Sequence, residues 1–137
     1  MLRYYLRHLK KKENSPKIQK KLPKITIQLP LYNEYYVVER LLKCITSLDY
    51  PNELLEIQVL DDSTDESLSL TKDLIAYYQK KGIGIILITR KQREGFKAGA
   101  LKNGLKTAKG EFIAIFDADF LPQHDWLLKT IPHFKDP

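Results

Sequence analysis

From Lys24 to the end of the chain, short apolar, β-branched stretches alternate with longer amphipathic ones, and this alternation limits the possible folds more than any other feature. "KITIQLP" (24–30) reads as a strand ending at Pro30. Residues 35–48 place Val38, Leu41, Leu42, Ile45 and Leu48 at helical spacing, with Glu39, Arg40 and Lys43 opposite. "LLEIQVLDD" (54–62) is a second strand, and the helix after it opens among the capping candidates Ser63, Thr64 and Asp65 and closes at Gly82. "IGIILITR" (83–90) is a third strand, and "KQREGFKAGALKNGLKTAKG" is a loop and then a helix ending at Gly110. "EFIAIF" (111–116) is a fourth strand, and "DWLLKTIPHF" is a short helix with Trp126, Leu127, Ile131 and Phe134 inward. Strands separated by helices of this length build a parallel α/β sheet with helices on both faces.

The 137 residues are 43% hydrophobic and 29% charged, enough for one core and one domain. The net charge of +6 is unevenly placed. Residues 1–24 hold nine Lys/Arg against Glu13 alone, a local +8 that leaves −2 for the rest. The basic character is therefore that of a leader (1–23) preceding a domain (24–137). It does not make the domain a nucleic-acid binder, and no aromatic stacking platform accompanies the charges. The leader reads either as a solvated tail broken by Pro16 and Pro23 or as a juxtamembrane segment. In the second case Leu2, Tyr5, Leu6 and Leu9 share a helical face and the lysines meet anionic headgroups. No apolar run reaches the length of a membrane span, and no secretory signal is legible. The single cysteine, Cys44, permits no internal disulfide and no CxxC zinc site, reads as a small buried hydrophobe, and suits a reducing, cytosolic setting.

In an open parallel sheet, ligands bind outside the carboxyl ends of the strands. Here the four strands end in "PLYNE", "DDSTDE", "TRKQREGFK" and "DADF", so Asp61, Asp62, Asp117 and Asp119 gather at one edge. Four carboxylates there repel one another unless a cation or a donor-rich ligand offsets them. The DxD spacing puts Asp117 and Asp119 on one side of a turn, where both can face a hard divalent cation such as Mg²⁺ or Mn²⁺. Taken alone, the pair is equally what a strand reaching water displays. His124 lies beyond Pro122 and reads as a surface residue, not a zinc ligand. Lys97, beside a glycine at a helix start, can oppose phosphate charge together with the helix N-terminus. Other acid-edged designs fit less well. A haloacid-dehalogenase-type phosphatase wants DxDx[TV] where this chain has Leu121, and a response-regulator receiver wants its acid pair after the first strand. A dinucleotide-binding domain wants GxGxxG there.

"ITIQLPLYNE", "LEIQVLDDSTDES", "REGFKAGALKNGL" and "KGEFIAIFDADFLP", in that order, resemble the amino-terminal half of family 2 glycosyltransferases, nearest the cellulose synthase-like and mannan synthase-like membrane enzymes. The resemblance covers about residues 24–137. It implies a Rossmann-like GT-A fold, truncated, that binds a nucleotide-diphosphosugar (UDP- or GDP-sugar) with Mn²⁺ or Mg²⁺. The turn carrying Pro30, Tyr32, Asn33 and Glu34 would meet the nucleotide, Asp62 its base, with Asp61 less closely matched, and Lys97 the diphosphate. Asp119 would hold the metal, with Asp117 its partner toward metal, ribose and sugar. The parent enzyme would invert at the anomeric carbon and form β-linkages in a polysaccharide or glycolipid at the cytosolic face of a membrane. The family's catalytic base is expected downstream of the chain end, so the isolated chain is expected to be inactive and to expose apolar surface. A non-catalytic nucleotide-sugar-binding module, or an inactive gene remnant, is the alternative.

Overall fold

A computed structural model describes residues 2–6 and 22–135, with side chains over 22–133. Its strands are β1 (Leu2–Leu6), β2 (Ile25–Leu31), β3 (Leu55–Asp61), β4 (Ile85–Ile88) and β5 (Phe112–Phe116). The helices are α1 (Tyr35–Thr46), α2 (Ser67–Lys80), α3 (Phe96–Leu105) and α4 (Trp126–Lys135), with a 3₁₀ turn at Asn52–Leu54. They form one five-stranded sheet in the order β1-β5-β2-β3-β4. β5, β2, β3 and β4 run parallel, and β1 adds antiparallel to the β5 edge, Leu2 opposite Phe116.

This order positions the site. The chain steps outward from β2 to β3 to β4, then returns across the sheet to place β5 on the other side of β2. Parallel crossovers are right-handed, so reversing the direction of travel puts the connecting helix on the opposite face. The core divides accordingly. Ile25, Ile27, Leu29 and Leu31 of β2 pack with Val38, Leu41, Leu42 and Ile45 of α1, Ile75 of α2, and Leu127 and Ile131 of α4. The other face holds a smaller cluster of Leu60, Ala100, Leu101, Ala108, Ile113 and Ile115 beneath α3.

Polar groups complete the α3 side. Gln28 and Gln58 are fully buried, and Gln28 Nε2 donates to Gln58 Oε1 (2.9 Å) and to Leu101 O (3.2 Å). Gln58 Nε2 donates to Gly104 O (2.9 Å), so α3 is seated on the sheet by an amide relay more than by an apolar stripe. A buried network with these donors paired, though Gln28 Oε1 has no partner of its own among the described residues, favours one position for the helix.

The elements expected from periodicity are present, with shifts at their ends. β2 continues through Pro30 to Leu31 because the missing N–H falls where no partner waits. Asp62 N donates to Leu31 O, so Leu31 faces β3 and Pro30 faces the other flank, where pairing with β5 stops at Gln28. α2 starts at Ser67, after Asp65 Oδ1 has accepted the Ser67 N–H (2.8 Å) in a turn, and ends before Gly82, which takes the left-handed conformation (φ 87°) expected past a helix end. α3 ends at Leu105, five residues short of Gly110, whose N–H donates to Thr26 Oγ1. In α4 Leu127 and Ile131 are buried and Trp126 packs on the same core, as expected; the side chain of Phe134 lies outside the described residues.

The leader differs more. The helical face expected of Leu2, Tyr5 and Leu6 is not formed, because residues 2–6 are a strand. The open hydrogen-bonding edge of β5 and the β-preferring Tyr4–Tyr5 pair outweigh the helical spacing. Leu9 and the lysines up to Lys21 lie outside the described residues. Cys44 is half-buried, its Sγ–H donating to Pro122 O (3.2 Å). Among the described residues no helix is long and apolar enough to cross a membrane.

Candidate functional site

The sheet reverses direction between β2 and β5, and a cavity of about 500 Å³ opens at their carboxyl ends. Pro30, Tyr32 and Glu34 reach it from the end of β2, and Asp117 and Asp119 from the end of β5. Asp62 arrives from the end of β3, and Arg93, Lys97 and Ala100 from the corner and first turns of α3. Seven of the residues singled out in the sequence therefore meet in one space. Asn33 and Asp61 do not line it. Asn33 is exposed, and it ties the β2 turn to the β3 turn: its N–H donates to Ser63 Oγ (2.8 Å) and its Oδ1 accepts from Thr64 N (2.9 Å). Asp61 is buried beneath, Oδ1 accepting the Ser63 N–H (2.8 Å).

The acid pair is presented by a tight turn closed by Phe120 N donating to Asp117 O (3.0 Å). Phe120 stacks on Phe116, at 5.7 Å between centroids, and Trp126 meets the Phe116 ring edge-to-face at 5.1 Å. These contacts hold the turn to the core while Asp117 and Asp119 face the cavity. Lys97 Nζ pairs with Asp117 Oδ1 across it. Burial opposes ionisation of Asp117, but Lys97, together with a second positive group, outweighs it and the carboxyl titrates below its ordinary value. Glu34 goes the other way: burial, then the nearby charge of Asp119, push its pKa up. Glu34 and Asp119 thus form an acid-rich wall that a cation would relieve.

Sequence reading missed the arginines. Arg90 Nη2 donates to Asp62 Oδ2 (2.6 Å) and Nε to Asp62 Oδ1 (3.2 Å). The same guanidinium donates to Glu94 O (2.8 Å) and Phe96 O (2.9 Å). Arg93 lies 3.7 Å over the Tyr32 ring and 5.0 Å from that of Phe96, and its Nε is 3.7 Å from Asp62 Oδ2. The polar cluster "TRKQREGFK" was the available signal, but which of its cations faces which acid is set by the corner's conformation. Gly95 (φ 75°) and Phe96 (φ 51°) are both left-handed, a costly arrangement for phenylalanine.

Asp117 and Asp119 offer only oxygen donors, the chemistry of a hard divalent cation. Among the described residues no group of three potential ligands is preassembled, so they fit an ion that arrives with oxygens of its own ligand, not a self-sufficient cage. Opposite them stand a lysine and the N-terminus of a ten-residue helix, the chemistry of an anion site.

A parallel sheet whose strand order reverses at β2/β5, with an acid pair facing a basic helix start across the crevice, is the architecture of the Rossmann-like GT-A fold. The model described as Glycosyl transferase family 2 matches residues 26–137, and the chain belongs to that family. The probable glucomannan 4-beta-mannosyltransferase 11 of Oryza sativa subsp. japonica is 44% identical over 117 residues, 80% of this chain and 20% of its own length. Among solved structures, the mannosyltransferase PcManGT from Pyrobaculum calidifontis, in complex with GDP-Man and Mn²⁺, superposes with a TM-score of 0.78 at 34% identity. That match covers 87% of this chain and 34% of PcManGT. S. aureus TarS superposes with a TM-score of 0.69 at 27% identity, over 82% of this chain and 19% of its own. The chain spans about a fifth of the length of the curated relatives it matches.

Proposed function

We propose that the cavity is the donor site of an inverting glycosyltransferase, taking a nucleoside-diphosphosugar with a divalent cation, and that the donor is a GDP-sugar carrying mannose. The observation that carries this is the confrontation of Asp117 and Asp119 with Lys97 and the α3 N-terminus over one crevice. A diphosphate bridged to a cation satisfies both walls together. The choice of GDP-mannose over a UDP-sugar is supported by the glucomannan mannosyltransferase relatives and by the GDP-Man and Mn²⁺ of PcManGT.

Asp117 and Asp119 would hold the cation, Mn²⁺ in the first instance, with Mg²⁺ as the alternative. When bound, it neutralises charge growing on the departing diphosphate. Lys97 and the α3 N-terminus oppose the same charge from the other side. Asp62, oriented by Arg90, can accept hydrogen bonds from a base, and Tyr32 with Arg93 offers a flat surface beside it. By the family resemblance, the base that deprotonates the acceptor hydroxyl and the membrane association at the cytosolic face are assigned to the part of the relatives that this chain does not span. The polymer product is read from the relatives: a β-linked, mannose-containing polysaccharide.

Calorimetric titration of GDP and UDP, with and without Mn²⁺, tests this. Metal-dependent binding that favours GDP and is lost in Asp119→Ala supports the reading. A well-folded chain that binds neither nucleotide overturns it, and preference for UDP overturns the donor assignment.

A further inference from the structure

In the donor reading Arg90 only orients Asp62, and it does not itself line the cavity. Its side chain is only 13% exposed, and all its partners belong to two segments that meet at the site. It grips both oxygens of Asp62 at the end of β3, and the carbonyls of Glu94 and Phe96 in the corner before α3. Gly95 and Phe96 are consecutive left-handed residues, tied on one side by the Phe96 N–H donating to Arg93 O (2.9 Å) and on the other by Gly95 O accepting from the Gly99 N–H (3.0 Å). Lys97 is the next residue.

We propose that Arg90 is the positioning residue of the donor site. Its planar fork locks Asp62 and the strained 94–96 corner into one unit, and so fixes where Lys97 and the α3 N-terminus meet the diphosphate. The inference rests on the donor reading and extends it to a residue that touches no ligand. Lysine cannot substitute, because a single ammonium cannot satisfy carboxylate and carbonyls at fixed angles simultaneously. The corner then relaxes toward allowed backbone angles and Lys97 moves with it.

The test combines a double-mutant cycle with amide exchange on the 137-residue chain. GDP affinity with Mn²⁺ is measured for wild type, Arg90→Lys, Lys97→Ala and the double variant, well below each melting temperature, with Arg90→Gln as a second probe. Arg90→Lys is expected to weaken GDP roughly tenfold, as befits charge-assisted hydrogen bonds lost at a site edge. In the Lys97→Ala background the same change should cost only about threefold, because the two residues act as a unit. Without nucleotide, the Phe96 and Gly99 amides should exchange faster in Arg90→Lys while β2, β3 and β5 keep their protection. Unchanged GDP affinity in Arg90→Lys and Arg90→Gln overturns the proposal. So do losses that multiply independently, or faster exchange spread evenly over the sheet, the mark of a merely stabilising residue. If the wild type itself binds neither GDP nor UDP, the donor reading fails and this one with it, an outcome distinct from the others.

Discussion

Substituting Gly99 by alanine sets two local effects against each other with opposite signs. Gly99 lies inside α3, where alanine is favoured over glycine by up to about 1 kcal/mol. A Cβ there, however, would sit 1.8 Å from Glu94 O and 2.8 Å from Arg90 Nη1. Reaching van der Waals contact requires the carbonyl to retreat by roughly 1.5 Å. Glu94 O is not free to do so, because it accepts from Arg90 Nη1 at 2.8 Å. Overpacking of this kind costs about 1–3 kcal/mol, and the charged hydrogen bond about 1.5–3 kcal/mol more. After the propensity gain of up to about 1 kcal/mol, the net loss is about 1.5–5 kcal/mol. For a domain of this size that lowers the melting temperature by roughly 10 °C. Urea and thermal unfolding followed by circular dichroism read it directly. GDP affinity should fall as well, since Lys97 and the Asp62 clamp depend on the same corner. A Gly99→Ala chain as stable as wild type, or more so, would show that helix propensity dominates and that the close approach is not a constraint.

Other outcomes follow from the same geometry. Gln58→Leu removes one acceptor of the buried Gln28 amide and one donor to Gly104 O, leaving each its other partner, and is expected to cost about 1–3 kcal/mol in urea unfolding. The Gln28→Leu/Gln58→Leu double variant should recover part of that loss, and simple additivity of the two single losses would contradict the relay. His124, hydrogen-bonded to Asp49 Oδ2 at 2.7 Å, has its pKa raised above 6.5 by that contact. Its contribution to stability is thus complete below the ordinary histidine value and lost as pH rises through the raised one. NMR titration should show the shift and its disappearance in Asp49→Asn; a midpoint that does not move on that substitution would remove Asp49 as the cause. Asp117 titrates below 3.8 despite burial, so its pairing with Lys97 stabilises above that value and fades as pH falls through the lowered one. Lys97→Met should flatten that acid limb in pH-dependent unfolding, and an unchanged limb would place the cause elsewhere.

Much of this protein can be read from local pattern. Apolar period and length define β2 to β5 and α1 to α4 to within a few residues, because strand and helix each impose their own spacing on burial. The carboxyl-end rule places "PLYNE", "DD" and "DAD" at one edge, and Gly82 marks a helix end by its left-handed backbone. What the pattern could not specify is every relation between residues distant in the chain. The order β1-β5-β2-β3-β4 decides that β2 and β5, paired at Gln28 and Ile115 though far apart in the chain, flank the crevice rather than β3 and β4.

 The same order hands Asp62 to Arg90 and Asp117 to Lys97, pairs that no spacing rule in the sequence selects. It also decides that Asp62 lines the cavity while its neighbour Asp61 turns beneath it to the Ser63 amide. Burial periodicity is a property of one element at a time. A salt bridge or a cavity wall exists only once crossover handedness and helix seating have brought separate elements together, and in this chain the Gln28–Gln58 relay and the left-handed corner at Gly95 and Phe96 do that positioning.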